Sequence, residues 1–276
     1  MSISAKDVKK LRDVTGVGMM DCKRALVETE GDFDAAIDLL RTLGQKIAAK
    51  RSDREAKEGL VVTASSTDGK TAILVEVNCE TDFVARNDEF QAFAAQIGAS
   101  VLTHRPADAD ALLALEFDGD STVADALTNM TGKIGEKIDL RRHAIATSDT
   151  GSIVSYIHPG NRLGVLVDIS GEGDLEHIGR DVAMQVAALN PIATRREEVD
   201  SSVTDKEVKI AREAALLDGK PAHIVDKIAT GKLERYYKDH VLLEQAFVKD
   251  SSQSVKQMLA AAGAEVKSFV RFVLGE

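Results

Sequence analysis

The sequence has no tryptophan, only two cysteines and four prolines, and few aromatic residues of any kind. Aromatic residues make up 4% of the chain, so its core must be built mainly from Val, Ile, Leu, Ala and Met. An aromatic side chain that is left exposed therefore needs a reason. Cys22 and Cys79 are far apart and form no CxxC pair, which argues against a disulfide scaffold and fits a reducing cytosol.

Basic charge is also in short supply. Lysine and arginine number 35 against 45 aspartates and glutamates, a net charge of −10. Phosphate contacts need clustered basic charge, so a naked nucleic-acid binder is disfavoured. No apolar run of about 20 residues is present, and the N-terminal segment MSISAKDVKKLRD has no apolar stretch of signal-peptide length. We therefore expect no transmembrane helix and a soluble cytoplasmic protein.

What the sequence does contain is enough apolar material for a core. Hydrophobic residues reach 44% of the 276 residues, which excludes disorder along the whole chain and predicts one to three domains. The first helix is predicted to begin with a capping box of Ser4 and Asp7. Its apolar face is predicted to consist of Val8, Leu11 and Val14.

Two further short helices follow this first one. The second is predicted over about residues 20–27, and the third begins after an N-cap at Asp32 and stops at Gly44. Residues 45–58 carry basic charge in their first half and mixed charge later, and we interpret them as a solvated helical linker. Three short helices make a very small core, which indicates a compact module or a docking head.

The centre of the chain contains an internal repeat. Residues 59–63 (GLVVT) and 151–155 (GSIVS) are 92 residues apart, and residues 73–77 (ILVEV) match residues 165–169 (VLVDI) at the same offset. Each copy has the pattern of a strand, a tight turn and a strand, followed by an alanine-rich helix. The repeat predicts two related α+β subdomains that pack together.

An insertion interrupts the second copy. Residues 191–232 are predicted to form an antiparallel helix pair, with a capping box that starts at Thr204 and a second helix that ends at Gly231. The predicted apolar stripe of its first helix is Ile210, Ala214 and Leu217. The chain then returns to the body with a helix over about residues 252–263 and a closing strand over 266–274.

Motifs for catalysis are missing. The sequence has no Walker loop, dinucleotide glycine fingerprint, GxSxG or HExxH, and no two histidines have the spacing of metal ligands. Cys22 and Cys79 are interpreted as packing residues and not as nucleophiles. His158 lies in a turn before a Pro-Gly pair, where a histidine is usually only solvated.

One segment is unusual for a simple connection. Residues 78–87 (NCETDFVARN) follow the apolar strand at 73–77, and Thr81 or Asp82 is placed to cap the next helix. Phe83 then falls in the first turn. The pattern leaves two alternatives open: the ring packs into the core as a hydrophobic staple, or it is exposed beside an acid and inserts into a partner.

Four segments resemble motifs of one family. Residues 11–26 (LRDVTGVGMMDCKRAL) closely resemble the N-terminal signature of the bacterial translation elongation factor Ts family, and residues 76–86 (EVNCETDFVAR) resemble its second signature. Residues 133–138 (KIGEKI) and 156–160 (YIHPG) are similar to two more of its motifs. The motifs occur in the family's order, and the resemblance spans nearly the whole chain.

The resemblance implies an α+β fold. It comprises an N-terminal three-helix domain similar to ubiquitin-associated (UBA) domains, and a core of two related α+β subdomains with antiparallel sheets and helices. An antiparallel helical hairpin is inserted in the second subdomain. On this sequence the parts correspond to residues 1–55, 56–150 and 151–276, with the hairpin at about 191–232.

The activity that the resemblance implies is guanine-nucleotide exchange on elongation factor Tu, the GTPase that delivers aminoacyl-tRNA to the ribosome. Such a factor binds the GDP complex, disturbs the site of Mg²⁺ and phosphate, and promotes GDP release so that GTP can rebind. It performs no covalent chemistry. We expect no cofactor, no metal ion held by this chain, no direct nucleic-acid contact and no membrane contact.

The resemblance also assigns roles to residues. The four residues expected to displace Mg²⁺ are Thr81, Asp82, Phe83 and Val84, with the Phe83 ring inserted between helices of the GTPase. The other expected contacts with elongation factor Tu are Arg12, Met19, Met20, Lys23, Ile134, Gly135 and His158. Adjacent methionines suit an adaptable contact surface.

Two departures and two alternatives remain. Lys137 stands where asparagine is common in the family, and some members carry a C-terminal extension whose contribution we do not expect here.

A peptide- or ubiquitin-like-binding adaptor would explain residues 1–44 but neither the repeat nor the segment around Phe83, and an enzyme using Cys79 is a more distant alternative. Whether the hairpin binds a second copy, giving a dimer of heterodimers as in some relatives, is left open.

Overall fold

The structure is a computed structural model that describes residues 3–119 and 121–276. The chain begins with three helices, α1 (Ala5–Thr15), α2 (Met19–Glu28) and α3 (Phe33–Arg51). The capping box at the start of α1 is confirmed, because the Ser4 hydroxyl accepts from the Asp7 N–H while the Asp7 carboxylate accepts from the Ser4 N–H.

The small core of these helices differs from the prediction at one position. Its buried members are Val8, Leu11, Cys22, Ala25, Leu26, Ala36 and Leu40. Val14 was predicted to share the apolar face of α1, but its side chain is 61% exposed. The prediction is wrong because α1 ends at the next residue, where the turn at Gly16 leads away from the core.

The first half of the body follows. Its elements in chain order are β1 (Glu58–Ser65), β2 (Thr71–Cys79), α4 (Asp82–Ala85), α5 (Asp88–His104), α6 (Ala109–Leu113), β3 (Glu116–Asp118), β4 (Ser121–Thr122), α7 (Val123–Ile134) and β5 (Asp139–Thr147). The long strands form an antiparallel sheet in the order β1-β2-β5. Helix α5 packs on one face of this sheet, with Phe90 and Ile97 fully buried.

The second half has the same plan with an insertion. Its elements are β6 (Ser152–Ile157), β7 (Leu163–Gly171), α8 (Leu175–Leu189), α9 (Ser201–Leu217), α10 (Ala222–His240), β8 (Ala246–Phe247), β9 (Asp250–Ser254), α11 (Val255–Ala261) and β10 (Ala264–Val273). The sheet order is β10-β7-β6, again antiparallel. The predicted closing strand is confirmed as β10, whereas the predicted helix at 252–263 is shorter because Ser254 caps it.

The 92-residue repeat corresponds to a repeated structure. Gly59 is the second residue of β1, and Gly151 immediately precedes β6. A Cβ at either position would overlap a backbone carbonyl oxygen, that of Val77 or Ile169, respectively. These two partners are themselves 92 residues apart. Both copies therefore need glycine for the same close approach between neighbouring strands.

The two sheets stack face to face. Side chains at alternate positions of β2 point to opposite faces, so Ile73 and Val75 pack toward α5 while Leu74 packs toward the other sheet. The inter-sheet core contains Val61, Ala72, Leu74, Ile153, Leu166 and Phe272. Because β2 is covered on both faces, all of its residues are buried, which explains the nearly continuous apolar run in its sequence.

Helix α3 continues past the predicted stop at Gly44 and ends at Arg51. That prediction is wrong because Gly44 lies against Gly132 of α7, where the two helix backbones approach so closely that a Cβ on Gly132 would overlap the Gly44 Cα. Glycine serves here for close packing and not as a helix end. The contact joins the three-helix unit to the first half of the body.

The inserted helix pair is present, but its details differ from the prediction. Helix α9 begins after an Asp200 N-cap, so Thr204 lies inside the helix and does not start it. The buried stripe is Ala211 and Ala215, which face Val225 and Ala229 of α10. The predicted stripe is wrong, because Ile210 and Leu217 are exposed and Ala214 only half-buried.

The second helix of this pair also runs further than expected. Helix α10 passes through Gly231 and ends at His240, so the predicted end at Gly231 is wrong. Gly231 lacks the left-handed backbone that marks a glycine at a helix end, and no atom lies near the position of a Cβ there. No helix within residues 3–119 and 121–276 has the length and apolarity needed to cross a membrane.

Candidate functional site

The segment between β2 and α5 presents an aromatic ring to solvent. We call residues 79–86 the Phe83 loop. Thr81 has extended backbone and caps the four-residue helix α4, its hydroxyl accepting from the Val84 N–H. Phe83 lies in the first turn and is 81% exposed. The staple alternative is therefore wrong, because the ring does not pack into the core.

The other residues of α4 hold the turn in place. Val84 and Ala85 pack against the core of the first half, so this short helix has an inner face. Asp82 forms an ion pair with Arg86 one turn later, at 2.9 Å, and lies at the helix N-terminus where an acid is favourable. The Phe83 ring is thus carried on the outer face of an anchored turn.

Glu136 holds the start of this turn from a distant part of the chain. The Thr81 N–H and hydroxyl both donate to its carboxylate, at 3.0 and 2.7 Å. Glu136 follows Gly135, whose left-handed backbone (φ 80°) ends α7. The motifs at 76–86 and 133–138, which sequence analysis marked as separate, are therefore in direct contact.

Glu80 completes a reciprocal contact between the two segments. Its carboxylate accepts from the Lys137 N–H and from the Arg51 guanidinium, both at 2.7 Å. Burial by itself would raise the pKa of Glu80, but the Lys137 N–H and the Arg51 charge hold that pKa below its usual value. The Lys137 ammonium also donates to the Ser52 carbonyl at 2.8 Å.

Sequence reasoning missed the contacts that join Glu80, Thr81, Glu136 and Lys137. Glu80, Glu136 and Lys137 lie inside segments that the resemblance singled out, but nothing in the sequence shows that they meet. Lys137 was noted only as a departure from the family pattern. Its backbone N–H makes the contact with Glu80, and a backbone donor does not depend on the side chain at that position.

Cys79 is built into the same turn as a neutral thiol. Its side chain is buried and donates to the Thr81 carbonyl at 3.1 Å. Burial, and secondarily the negative charge of Glu136, raise the pKa of Cys79 to about 12. Since the thiolate is the reactive form, this environment is that of a packing cysteine and not of a nucleophile.

Ile134 and Gly135 differ in what they present. Ile134 is half-buried and packs against the core of the first half, so only part of its side chain is available for a partner. Gly135 faces open space, with no atom near the position that a Cβ would occupy. Together they form the edge from which Glu136 reaches Thr81.

His158 lies on an exposed turn at the same edge of the body. Its Nδ1 is 2.8 Å from the Tyr156 hydroxyl. The turn is tied to β1, because the Val61 N–H donates to the Asn161 carbonyl at 2.7 Å and Arg162 pairs with Glu58. Glu58 in turn lies opposite Cys79 in the sheet. The His158 turn and the Phe83 loop thus flank the same end of β1.

The candidate residues of the three-helix unit are all exposed. Arg12 is in the last turn of α1, while Met19, Met20 and Lys23 are in the first turns of α2; Met19 is 44% and Met20 66% exposed. The loop between these helices lies beside Lys133 at the end of α7, since a Cβ at Gly16 would meet the Lys133 side chain. This surface therefore adjoins the segment that holds the Phe83 loop.

A cavity of about 750 Å³ lies between the three-helix unit and helices α5 and α7, and the Gly44–Gly132 contact forms part of its wall. Its apolar lining includes Leu40, Ile47, Phe93 and Met130. No group of three or more His, Cys, Asp or Glu side chains suited to a metal ion occurs in the part of the chain that the structure describes.

Comparison with known proteins identifies one family. The family profile described as Elongation factor TS matches residues 80–276. Proteins named Elongation factor Ts are similar over 99% of both chains: 48% identical in Prosthecochloris aestuarii, and 46% in both Chloroherpeton thalassium and Chlorobaculum tepidum.

The α+β body with its antiparallel sheets, together with these full-length similarities, defines a translation elongation factor. The chain belongs to the elongation factor Ts family.

Proposed function

We propose that this protein is a guanine-nucleotide exchange factor for elongation factor Tu. It binds the complex of that GTPase with GDP, promotes GDP release and so allows GTP to bind. The observation that carries the proposal is Phe83, an aromatic ring 81% exposed on an anchored turn in a chain with few aromatics. An exposed aromatic on a rigid support is the usual form of an anchor for a protein partner.

The proposed mechanism is mechanical and electrostatic. A GTPase holds GDP through its phosphate loop and a Mg²⁺ ion, and the ring of Phe83 inserts between two of its helices. Thr81, Asp82 and Val84 accompany the ring, and Asp82 brings a carboxylate toward the metal site. Because nucleotide and factor disfavour each other's binding, the two affinities fall by the same factor. The step involves no covalent bond.

The remaining contacts have a separate role in this proposal. Arg12, Met19, Met20 and Lys23 dock the UBA-like three-helix unit on the GTPase domain. The second set of contacts is Ile134, Gly135 and His158, which flank the Phe83 loop. Support comes from the exposure of all of these residues except Ile134 and Gly135, which are half-buried.

The proposal also assigns a role to each part of the chain. Residues 1–55 form the docking unit, residues 56–150 carry the Phe83 loop, and residues 151–276 carry His158 and the inserted helix pair. That pair exposes Leu216 and Leu217 at its tip, 56% and 89% respectively, and association with a second copy through it stays a prediction.

The test is release of a fluorescent GDP analogue from elongation factor Tu with increasing amounts of this protein. We expect the release rate to rise and then saturate as factor is added. A release rate unchanged at micromolar factor would overturn the exchange function and leave the adaptor alternative. A second arm adds excess Mg²⁺, which should oppose the acceleration because metal and factor compete for the site.

A further inference from the structure

The short helix that carries Phe83 cannot orient the ring by itself. It has four residues, and an isolated helix of that length has no stability of its own. The direction of the ring is therefore set by what holds the preceding residues, 79–81. These residues are fixed by three contacts: the thiol of Cys79, the carboxylate of Glu80 and the cap at Thr81.

Two of these contacts form a crossed pair between neighbouring segments. Thr81 donates to the Glu136 carboxylate, while the Lys137 N–H donates to the Glu80 carboxylate. Each segment thus provides one carboxylate, which accepts hydrogen bonds from the other segment. We call this arrangement of Glu80, Thr81, Glu136 and Lys137 the clamp. Hydrogen bonds to charged carboxylates are among the stronger polar contacts in a protein.

The C-terminal end of α3 is attached to the same clamp by two contacts. The Arg51 guanidinium donates to Glu80 Oε1, the same carboxylate oxygen that accepts from the Lys137 N–H, and the Ser52 carbonyl accepts from the Lys137 ammonium. A cation at this position also suits the negative end of the helix dipole. Neither ion-pair partner is freely solvated, since the side chains of Arg51 and Glu80 are 33% and 16% exposed.

Helix α3 has a second fixed point seven residues earlier. At Gly44 it crosses α7 with backbone contact at Gly132, and α7 ends in the segment that supplies Glu136 and Lys137. A 19-residue helix is rigid between these two points. A displacement of the three-helix unit would therefore move Arg51 relative to the clamp.

We propose that Glu80 is a positioning residue that couples the three-helix unit, through Arg51, to the orientation of Phe83. Docking of the three-helix unit on the partner and insertion of the ring are then linked steps and not independent contacts. The coupling rests on the exchange function proposed above. It assigns an indirect role to Glu80 and Arg51, neither of which is among the contacts proposed above.

The test measures GDP release from elongation factor Tu as a function of factor concentration, with full-length variants. Glu80→Gln and Arg51→Met each remove the ion pair, and we expect the maximal release rate to fall at least about fivefold. The concentration that gives half-maximal release should change less than the maximal rate. Arg51→Lys keeps a cation at this position and should retain most of the rate.

A double variant distinguishes positioning from general damage. If Glu80 acts through the ring, Glu80→Gln has no further effect on the maximal rate once Phe83→Ala is present. Asp181→Asn is the matched control, because Asp181 is 14% exposed and paired with Lys249 in the second half of the body. It should leave the release kinetics unchanged.

The outcomes separate this inference from the function on which it rests. Absence of acceleration by the unaltered protein overturns the exchange function. Acceleration by the unaltered protein, together with an unchanged maximal rate in Glu80→Gln and Arg51→Met, overturns the coupling alone. Equal losses from Glu80→Gln with and without the Phe83 ring also overturn it. Thermal unfolding of each variant shows whether the chain is folded during the assay.

Discussion

Thr81 and Glu136, separated by 55 residues in sequence, are joined by two hydrogen bonds, from the Thr81 N–H and from its hydroxyl to one carboxylate. The hydroxyl oxygen also accepts from the Val84 N–H. Thr81 therefore caps the helix that carries Phe83 and fixes that helix to the segment at the end of α7. These hydrogen bonds hold the Phe83 loop in one conformation, which its four-residue helix could not do by itself.

The first prediction concerns this contact. Glu136→Ala leaves the Thr81 donors without a protein acceptor, so residues 81–85 should exchange their amide hydrogens faster, by about tenfold, a loss of about 1.4 kcal/mol. Hydrogen exchange followed by mass spectrometry measures the change. Thr81→Ser keeps both donors and serves as the control. Equal protection of the loop in Glu136→Ala and in the unaltered protein would contradict the anchoring role.

The second prediction separates stability from activity at two phenylalanines. Phe83→Ala should leave the free energy of unfolding within about 0.5 kcal/mol, because the ring is 81% exposed. The same variant should slow the accelerated release of GDP by at least about tenfold, as for the loss of a central anchor. Phe90 is fully buried, so Phe90→Ala should cost about 3–5 kcal/mol.

Urea denaturation of both variants provides the measurement, with GDP release as the second readout. A Phe83→Ala protein that is strongly destabilised would show that the ring packs against the body. Unaltered release in a stable Phe83→Ala protein would remove Phe83 from the proposed mechanism.

The third prediction uses two helical glycines with opposite surroundings. Gly132→Ala should destabilise the protein by about 1–3 kcal/mol, because the new methyl group would overlap Gly44 and force α3 away from α7. Gly231→Ala should instead stabilise it by about 0.5–1 kcal/mol, since no atom is near that position inside α10. Thermal and urea unfolding of both variants should move in opposite directions; a shared direction would contradict the packing account.

The fourth prediction concerns the thiol of Cys79. With a pKa of about 12, only about one thiol in ten thousand is ionised at pH 8, so iodoacetamide should label Cys79 very slowly in the folded protein. In urea the pKa returns to about 8.5 and labelling should be fast. Peptide mass spectrometry distinguishes Cys79 from Cys22. Rapid native labelling of Cys79 would show that the loop opens.

The raised pKa of Cys79 also determines the direction in which the free energy of unfolding changes with pH. The folded-state pKa of Cys79 is above the unfolded value, so the contribution of the protonated thiol to stability is complete below about pH 8.5. It is lost as the pH rises toward 12. Cys79→Ala should therefore flatten the fall in the free energy of unfolding across this alkaline range.

The fifth prediction concerns the base of the inserted helix pair. Arg196 bridges two elements, with two hydrogen bonds to Glu234 of α10, an ion pair with Glu244, and its guanidinium 4.5 Å from the centre of the Tyr237 ring. Arg196→Gln should raise hydrogen exchange at the C-terminal end of α10. Arg212→Gln, which breaks an exposed pair with Asp226, should have little effect. Similar exchange in both variants would contradict a special role for Arg196.

Much of the fold could be predicted from local patterns. The Ser4 and Asp7 capping box, the Asp32 cap and the strands of both repeats follow from residues close together in sequence. Helix ends at Gly44 and Gly231 were predicted wrongly, since a glycine signals an end only when its backbone turns left-handed. At Gly44 the cause is a second helix, which the local sequence does not contain.

Local sequence patterns predicted less of the candidate site than of the fold. The pattern around Phe83 left open whether the ring was buried, and only the packing of Val84 and Ala85 decides which face of α4 points inward. The contacts of Glu80 with Arg51 and Lys137 connect residues 29 and 57 positions apart. Such contacts depend on how the three-helix unit sits on α7, which follows from tertiary packing and not from spacing.

The 92-residue repeat carries one more consequence. Counting along it from Phe83 leads to Leu175, which begins α8 and packs against the core of the second half. The second copy has one continuous helix here instead of the separate α4, and the equivalent side chain is half-buried. Solvent exposure of the apolar side chain at this place therefore accompanies the separate turn α4, which the second copy lacks. The two copies share a strand order but differ in whether this one apolar group is turned inward or outward.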